Sequence, residues 1–474
     1  MTTETVYDLA ILGAGPGGYV AAIRAAQLGL KACIVEKDKP GGVCLNWGCI
    51  PSKALIHQAD LLHGIPHLQN LGIAVDTANL DFAKAHKKSR LAADRLSKGV
   101  QFLLKKNAID VIPGEGRLAS PTELVVNGEQ RIKARAILLA TGSRPRELPG
   151  LAFDETTVLS STGALNLKKL PKNIAILGGG AIGMEMGYVW NAFGANVTII
   201  EALDRILPLE DAEVAALVRK IFEKRGVKFI TGAFASAGSR GPKGLGLDLK
   251  PAKEGNPGIP SRVDADAVLV AVGRVPNTAG LGLEEIGIAL ERGFVPVGDY
   301  CETAAKGVYA IGDITPTPQL AHVASKEGEL AIEHIASVLK GHPAPRERRV
   351  DPSLIPSAVY CDPEIASFGL LEEKAKAQDI PHKVFSFPYR GIGKAVATEK
   401  SEGFVKIVAT PDGGEILGAA IVGERATDLI HEPLLARAAE LTVADIADLI
   451  HAHPTVAEGV MEAARGLLGR AVHV

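Results

Sequence analysis

Short apolar runs alternate with helix-compatible stretches along the first part of the chain. The run from Leu9 to Leu12 ends at a glycine-rich turn, an alanine-rich stretch containing Ile23 and Leu28 follows, and Ala32 to Glu36 is apolar up to its final carboxylate. Strands buried on both faces read as continuous apolar runs, and alternation of strands with helices is typical of βαβ units. The pattern therefore predicts a doubly wound α/β domain at the start of the chain.

The same pattern returns in the middle of the chain. Lys172 to Leu177 leads into a second glycine-rich turn, a helix-compatible stretch runs to Phe193, and Val197 to Glu201 is again apolar. Two further apolar runs, Ala136 to Ala140 and Ala267 to Ala271, are each followed by glycine and proline, which commonly bound strands. We therefore expect a second doubly wound domain.

From about Asp351 the pattern changes. Strand-like segments at Val359–Tyr360, Phe404 to Val408 and Leu417 to Val422 precede helices rich in alanine and leucine. This order is typical of an antiparallel sheet with helices packed beside it. We expect an α+β module at the C-terminal end.

Composition narrows the class of protein. The 474 residues include 52 Lys and Arg and 54 Asp and Glu, a formal net charge of −2, so no bulk charge favours binding to nucleic acid or to a membrane. No apolar run approaches the ~18 residues of a membrane span, and the N-terminus lacks the basic start of a signal peptide. With only five cysteines, we expect a cytoplasmic protein with one purposeful cysteine pair.

Each βαβ pattern carries a GxGxxG fingerprint followed by a carboxylate. The positions are Gly13, Gly15, Gly18 and Glu36 in the first copy and Gly178, Gly180, Gly183 and Glu201 in the second. The glycines allow a tight turn, close approach of a pyrophosphate and close helix packing, and the carboxylate holds ribose hydroxyls. Each carboxylate lies 23 positions after the first glycine (13 to 36 and 178 to 201). We expect two dinucleotide sites.

The second carboxylate also bears on the choice of nicotinamide. Glu201 would repel a 2′-phosphate and bind a free hydroxyl, so we expect NAD rather than NADP. The residues that follow offer one base, Arg205, and it is adjacent to Asp204. The alternative for Glu201 is an exposed carboxylate at the end of a strand.

Cys44 and Cys49 lie five positions apart, just after the first copy. In a regular helix their Cα atoms would be roughly 8.7 Å apart, and a disulfide tolerates at most about 7 Å. A bridge therefore requires a break, which we expect from Gly48, with its free backbone angles, and from Pro51, which moves Ile50 away from helical angles. A bridge in such geometry is readily reduced, which favours a redox role. Two separate buried cysteines are the alternative.

Two later carboxylates, Asp313 and Glu458, could each stabilise a turn or helix end or could take part in binding or catalysis. Asp313 ends a short apolar run and could bind a ribose or ribityl hydroxyl, but the pattern alone favours a turn-forming aspartate. Thr455 and Glu458 have the spacing of a capping box, which the pattern alone also favours. The alternative is that Glu458 orients the imidazole of His453.

Taken together, these residues resemble the pyridine nucleotide–disulfide oxidoreductase family. The resemblance covers essentially the whole chain and includes both fingerprints, the run Gly42 to Leu55, Ala140–Gly142, Ala310–Asp313 and His453–Thr455. It implies oxidation of a protein-bound dihydrolipoyl dithiol, with FAD and NAD as cofactors and no metal. It also implies a homodimer that serves the lipoyl-bearing acyltransferase of a 2-oxo acid dehydrogenase complex.

The resemblance implies roles for single residues. Cys49 would face the flavin, Cys44 would exchange with the substrate disulfide, and Glu185 would pair with Lys53 near the flavin edge. The implied FAD contacts, besides the first fingerprint, are Glu36, Lys53, Gly116, Thr141, Gly142, Asp313 and Ala321. The implied NAD contacts, besides the second fingerprint, are Glu201, Ala271 and Gly273.

The resemblance also implies how the chain is divided and where its subunits meet. The implied regions are an FAD domain (1–149), an NAD domain (150–276), a central domain that returns to the FAD domain (277–350) and a dimer-interface domain (351–474). His453 and Glu458 would act at the cysteine pair of the other subunit, with Glu458 in both roles at once but orienting His453 more firmly than it caps the helix.

Two other functions remain open at this point. One is a different disulfide reductase on the same scaffold, such as one acting on glutathione, although Glu201 disfavours the members that use NADPH. The other is a flavoprotein subunit with a mainly structural role, which a reducible cysteine pair disfavours. Roles for Cys33, Cys301 and Cys361, and the particular complex served, do not follow from the residues.

Overall fold

The computed structural model describes residues 5–241, 244–253 and 258–473. Its strands up to the middle of the chain are β1 (Val6–Leu12), β2 (Ala32–Glu36), β3 (Asp110–Pro113), β4 (Gly116–Ser120), β5 (Glu123–Val126), β6 (Gln130–Leu139), β7 (Ser143–Pro145), β8 (Val158–Leu159), β9 (Asn173–Leu177), β10 (Asn196–Glu201) and β11 (Lys228–Thr231). The later strands are β12 (Ala233–Gly241), β13 (Gly244–Pro251), β14 (Arg262–Ala265), β15 (Ala267–Val270), β16 (Arg274–Pro276), β17 (Val308–Ala310), β18 (Ser357–Val359), β19 (Glu364–Gly369), β20 (Lys383–Pro388), β21 (Phe404–Ala409) and β22 (Ile416–Gly423).

The α-helices cover sheets or connect strands. They are α1 (Pro16–Gln27), α2 (Gly42–Trp47), α3 (Cys49–His63), α4 (Ile65–Asn70), α5 (Phe82–Lys106), α6 (Ser161–Asn166), α7 (Ala181–Ala192), α8 (Ala212–Lys224), α9 (Ala321–Lys340), α10 (Glu372–Ala377), α11 (Gly393–Ala397), α12 (Ala426–Leu429), α13 (His431–Ala438), α14 (Val443–Asp448) and α15 (Glu458–Leu467). None of the described helices is long and apolar enough to cross a membrane.

The chain forms two compact units, and each contains segments that are distant in sequence. The first unit comprises the residues up to Ala54 together with Lys84–Arg146 and Gly273–Val350. The second comprises Leu55–Ala83, Glu147–Val272 and the residues from Asp351 onward. The four-domain division expected from the sequence stays a prediction.

The first unit is built on a seven-stranded sheet in the order β3-β2-β1-β6-β5-β4, with β17 also paired to β6. The pairs of β1 with β2 and β6, of β2 with β3, and of β6 with β17 are parallel, whereas β4, β5 and β6 pair antiparallel. The carboxyl ends of β1, β2, β6 and β17 therefore meet at one edge, where ligands bind in doubly wound sheets.

Alternate residues of β1 face two separate cores, which explains the continuous apolar run in the sequence. Leu9 and Ile11 pack against residues of α1 and α9 on one face of the sheet. Ala10 and Leu12 pack on the other face with apolar residues of β4, β5 and β6. A strand covered on both faces needs no polar alternation.

The second unit contains a parallel five-stranded sheet in the order β11-β10-β9-β15-β8 and a smaller antiparallel sheet of β12, β13 and β14. Its C-terminal part has an antiparallel sheet in the order β18-β19-β22-β21-β20, covered by α13, α14 and α15. The expected α/β class, with two doubly wound sheets and a C-terminal α+β part, is confirmed.

Candidate active site

The first fingerprint forms the turn between β1 and α1. Gly13 has a φ of +105°, and a Cβ there would collide with the carbonyl of Ala140 at the end of β6. A Cβ on Gly18 would collide in turn with the carbonyl of Gly13. Gly15 differs, because its φ is −67° and a Cβ built on it has no heavy atom within 4 Å. Gly15 therefore faces open space.

The second fingerprint repeats this arrangement between β9 and α7. Gly178 also has a φ of +105°, its Cβ would collide with the carbonyl of Ala271, and a Cβ on Gly183 would collide with the Gly178 carbonyl. Gly180 has a φ of −79° and no heavy atom within 4 Å of a built Cβ. In both copies the middle glycine alone is required neither by backbone angles nor by packing.

Both loops fit the pyrophosphate of a dinucleotide. Gly15 and Gly180 are the N-caps of α1 and α7, and neither helix has a side-chain cap. The first amides of an α-helix lack partners within the helix and, with the helix dipole, favour an anion. An uncapped helix end beside open space above the middle glycine matches that requirement.

The two fingerprint carboxylates hold their loops in the same way. Glu36 accepts hydrogen bonds from the amides of Ala14 (2.7 Å) and Asp38 (2.8 Å). Glu201 accepts hydrogen bonds from the amides of Gly179 (2.7 Å) and Leu203 (2.8 Å). The alternative of an exposed Glu201 is wrong, because its exposed fraction is 9%. Each carboxylate thus lies beside its glycine loop, and its contact with a ribose stays a prediction.

A backbone break brings Cys44 and Cys49 together. Helix α2, which carries Cys44, ends at Trp47, Gly48 follows with non-helical angles (φ −149°, ψ −109°), and α3 begins at Cys49. The two thiols are hydrogen-bonded to each other and not joined by a disulfide. The expected break at Gly48 is thus present, but the expected contribution of Pro51 is wrong. Ile50 and Pro51 lie in the first turn of α3, where a proline costs no helical hydrogen bond.

The charges near the cysteine pair are positive. The hydrogen bond with Cys49 and then burial raise the pKa of Cys44, whereas the charge of Lys53 lowers it. Arg274 also interacts electrostatically with Cys49. Thiolates formed at this pair would therefore be stabilised by an ammonium and a guanidinium group.

Arg274 belongs to a network that sequence reasoning missed. Its guanidinium donates from Nε to Ser143 Oγ (2.6 Å) and from Nη2 to Ser143 O (2.7 Å), and Ser143 Oγ donates to Asp313 Oδ2. Burial lowers the pKa of Arg274, and the charge of Asp313 opposes this. The available signal was the similarity of the two strand ends, since Ser143 and Arg274 lie on the paired strands β7 and β16.

The other residues expected to contact FAD all lie in the first unit. Thr141 Oγ1 donates to Asn277 O (2.8 Å), and the Asn277 amide donates to Gly142 O (2.9 Å). Gly116 begins β4 and is buried against Leu12. Asp313 follows β17, and Ala321 begins α9. The structure thus brings Thr141, Gly142 and Asp313 to the carboxyl-end edge that also carries the first fingerprint.

Glu185 and Gly273 have surroundings that the sequence did not reveal. Glu185 is buried on α7, where its carboxylate accepts a hydrogen bond from the amide of Tyr360 (3.1 Å). Its pairing with Lys53 stays a prediction. Gly273 lies in the first unit, where its carbonyl accepts a hydrogen bond from the Arg146 amide (3.1 Å).

His453 and Glu458 form a carboxylate–imidazole pair on the C-terminal part of the chain. His453 Nδ1 lies 2.9 Å from Glu458 Oε1, and the Thr455 amide donates to Glu458 Oε2 (2.9 Å). Burial would raise the pKa of Glu458, but these two hydrogen bonds lower it overall. The His453 side chain is 74% exposed.

Only half of the expected capping box is formed. Glu458 accepts from the Thr455 amide, but the Thr455 hydroxyl donates to Ala452 O (2.7 Å) instead of accepting from the helix, whose N-cap is Ala457. One carboxylate therefore contacts both the His453 ring and the Thr455 amide, and its role in orienting His453 stays a prediction.

The remaining three cysteines carry buried thiols. Cys33, Cys301 and Cys361 are buried. Burial raises the pKa of Cys33 to about 12 and raises the pKa of the other two thiols as well. Among the described residues, no group of three or more His, Cys, Asp and Glu side chains could hold a metal ion.

Two models of one protein family match most of the chain. The family model described as pyridine nucleotide-disulphide oxidoreductase matches residues 7–328, and the dimerisation-domain model of the same description matches residues 355–464. The chain is 42% identical to dihydrolipoyl dehydrogenase of Bacillus subtilis (strain 168), with 100% of both chains covered. It is 44% identical to dihydrolipoyl dehydrogenase of Geobacillus stearothermophilus, with 100% of this chain and 97% of the relative covered.

Solved structures of similar proteins superpose on nearly the full length of this chain. LpdA from Mycobacterium tuberculosis has a TM-score of 0.86 and 28% sequence identity, with 98% of this chain and 99% of that chain covered. The HOCl-induced flavoprotein disulfide reductase RclA from Escherichia coli has a TM-score of 0.83 and 28% identity, with 97% and 99% covered.

Proposed function

Because the chain belongs to the pyridine nucleotide-disulphide oxidoreductase family, we propose that it oxidises protein-bound dihydrolipoyl groups to lipoyl groups and reduces NAD⁺ to NADH. FAD and NAD are its cofactors. The observation that carries the proposal is the pair of thiols, Cys44 and Cys49, hydrogen-bonded across the break at Gly48 in the unit that holds the first fingerprint. The names of its relatives supply the substrate.

FAD would be held by the first unit. The amides at the start of α1 and the open space above Gly15 would receive its pyrophosphate, Glu36 would bind ribose, and Asp313 would lie near the ribityl chain. Lys53, Gly116, Thr141, Gly142 and Ala321 complete the proposed contacts. When bound, FAD accepts two electrons from the reduced cysteine pair and passes them to NAD⁺. NAD would be held by Gly178, Gly180, Gly183, Glu201, Ala271 and Gly273.

The first chemical step is the removal of a thiol proton. A thiolate, and not a thiol, attacks a disulfide sulfur. We assign the base to His453, whose exposed ring is held through Nδ1 by Glu458 and leaves Nε2 to take the proton. A carboxylate on the other ring nitrogen fixes the tautomer and stabilises the imidazolium.

The second step is a thiol–disulfide exchange in which the protein disulfide oxidises the substrate dithiol. The substrate thiolate attacks Cys44 Sγ of the Cys44–Cys49 disulfide, which gives a mixed disulfide and releases Cys49 as a thiolate. The second substrate thiol then displaces Cys44, which closes the lipoyl ring. The substrate loses two electrons, the protein disulfide gains them and becomes a pair of thiolates, and the two substrate thiol protons go to His453 and water. Lys53 and Arg274 favour the thiolates formed.

The reaction requires a homodimer in this proposal. His453 and Glu458 lie within residues 355–464, which match the dimerisation domain, and they would act at the cysteine pair of a second copy. We further propose that the substrate is carried by the lipoyl-bearing acyltransferase of a 2-oxo acid dehydrogenase complex and that the enzyme works in the cytoplasm, where reducing conditions suit an exchangeable cysteine pair.

Cys49→Ser tests the proposal directly. The variant should bind FAD as the native protein does but lose turnover of dihydrolipoamide with NAD⁺, because no disulfide can form. Cys33→Ala, which removes a buried thiol from the same unit, should retain turnover. Near-normal turnover by Cys49→Ser would remove the pair from the reaction.

An anaerobic titration tests the substrate. Dihydrolipoamide should change the absorbance of the bound FAD at one equivalent, and added NAD⁺ should then yield NADH. Glutathione disulfide with NADPH should give no turnover, and turnover with that pair alone would favour the glutathione-type alternative.

A further inference from the structure

The connection between β10 and α8, residues 202–211, touches the second fingerprint through its own backbone. The amide of Leu207 donates to Gly179 O (2.8 Å), and Ile206 packs directly on Gly179, where an added Cβ would lie 2.9 Å from its side chain. The amide of Gly179 is in turn bound by Glu201. The middle of the connection therefore fixes one residue of the glycine loop.

This contact is made by a residue in an unfavourable conformation. Leu207 has a φ of +47°, a left-handed value that a branched side chain rarely adopts. The first fingerprint has an equivalent contact, since the amide of Gly41 donates to Ala14 O (2.7 Å), but there the left-handed residue is glycine (φ +99°). A leucine persists in this conformation only when its surroundings impose it.

Glu210 supplies the first of these constraints. Its amide donates to Leu207 O (3.0 Å), and its buried carboxylate accepts hydrogen bonds from the hydroxyls of Ser357 (2.6 Å) and Ser367 (2.6 Å). These serines lie on β18 and β19, the first strands of the C-terminal sheet. The turn that contains Leu207 is thus attached to that sheet.

Lys406 supplies the second constraint. Its side chain, on β21, is 2% exposed, and its ammonium lies 3.0 Å from Asp211, 2.7 Å from Glu213 and 3.0 Å from Glu372. Asp211 caps α8 by accepting from the amides of Glu213 and Val214. One buried ammonium therefore neutralises the carboxylate that ends the 202–211 connection.

Arg205 holds the other side of the connection. Its guanidinium pairs with Glu373 (2.6 Å) and donates to the carbonyls of Pro208 and Glu210 (3.4 Å each). Glu373 lies next to Glu372 on α10. The strained turn at Leu207 is therefore enclosed on both sides by contacts to the C-terminal part of the chain.

We propose that Lys406 is a positioning residue for NAD: it anchors the 202–211 connection and, through Leu207, holds Gly179 and the glycine loop in the conformation that binds the dinucleotide. This rests on the proposed assignment of NAD to the second fingerprint. Without the ammonium, the buried Asp211 carboxylate loses its directly paired cation and keeps only the electrostatic attraction of Arg205, so that it moves toward water. Leu207 then relaxes from its left-handed conformation and releases Gly179.

The test compares Lys406→Met with Arg437→Met in the intact FAD-bound protein. Arg437 is another partly buried cation of the C-terminal part, paired with Glu415 (3.0 Å), and it makes no described contact with the 202–211 connection. Lys406→Met should raise the KM for NAD⁺ at least fivefold, with kcat within twofold and an unchanged rate of reduction by dihydrolipoamide when NAD⁺ is omitted. Arg437→Met should leave the KM for NAD⁺ within twofold of native.

Leu207→Gly distinguishes positioning from general destabilisation. In the Lys406→Met background it should restore most of the lost affinity for NAD⁺, because glycine adopts a positive φ without strain. If Lys406→Met does not fold, the Ser357→Ala/Ser367→Ala pair, which loosens Glu210 alone, should raise the KM for NAD⁺ selectively.

Three outcomes would overturn the inference: an unchanged KM for NAD⁺, an equal loss in both half-reactions, or no rescue by Leu207→Gly. Failure of the native protein to reduce NAD⁺ with dihydrolipoamide would instead overturn the proposed function.

Discussion

Substitution of Gly180 should affect the binding of the dinucleotide much more than the stability of the fold. Its backbone angles (φ −79°, ψ −172°) suit alanine, and no heavy atom lies within 4 Å of a built Cβ. Replacement of glycine by alanine at a compatible position stabilises a protein by about 0.4–1 kcal/mol through its unfolded state. Alanine is a poorer N-cap than glycine by roughly the same amount. Gly180→Ala should therefore change the free energy of unfolding by less than about 1 kcal/mol.

The affinity for NADH should respond quite differently. The new methyl group would occupy the space through which the pyrophosphate approaches the start of α7. Overpacking by a group of this size costs about 1–3 kcal/mol, and each 1.4 kcal/mol is about tenfold in Kd. We therefore expect the Kd for NADH to rise roughly 5- to 150-fold while bound FAD is retained.

Urea unfolding and equilibrium titration with NADH measure the two quantities. Gly178→Ala is the matched comparison, because its φ of +105° and the collision with Ala271 O strain the fold itself. That variant should lose about 2–5 kcal/mol of stability, the sum of left-handed strain and overpacking. Native affinity for NADH in Gly180→Ala would refute the placement of the pyrophosphate above this glycine.

Two further predictions address single histidines. His453→Gln should lower kcat for dihydrolipoamide oxidation ~100-fold or more, as loss of a general base does, and retention of most activity in a steady-state assay would place the base elsewhere. Burial, and then the charge of Arg225, lower the pKa of His63 from 6.5 to about 4. Between these two pH values the unfolded chain binds a proton that the folded chain does not, so the free energy of unfolding falls as the pH drops from 6.5 toward 4. His63→Phe keeps an aromatic ring against Tyr188 and should make the free energy of unfolding, measured with urea at several pH values, less dependent on pH in this range. An unchanged pH dependence would contradict the lowered pKa of His63.

Features with local causes could be predicted from the sequence. The outer glycines of each fingerprint are required because a Cβ there would collide with a nearby carbonyl. The apolar runs reflect burial on both faces of a sheet. The break at Gly48 followed from the distance that two cysteines must span. Pro51 shows where a local rule fails, because the first turn of α3 accepts it despite the usual effect on the preceding residue.

Contacts between distant segments have no local cause in the sequence, apart from the similarity of the two strand ends that carry Ser143 and Arg274. Arg274 and Ser143 are 131 positions apart, Ser143 and Asp313 are 170 apart, and Lys406 and Asp211 are 195 apart. Apart from Asp313, whose place after an apolar run suggested a ligand for a hydroxyl group, each of these residues has the sequence context of an ordinary polar side chain. Only the folded structure shows that Arg274, Ser143 and Asp313 form one network and that Lys406 is buried.

The burial of Cys33, Cys301 and Cys361 gives the protein a built-in readout. Burial raises the pKa of these thiols and keeps them largely away from solvent, so an alkylating reagent should react only with the two partly exposed cysteines, Cys44 and Cys49. Intact-mass spectrometry after brief alkylation would then count two adducts on a reduced chain and none on an oxidised one. The occupancy of each redox state could thereby be followed in a mixture, without a coloured substrate.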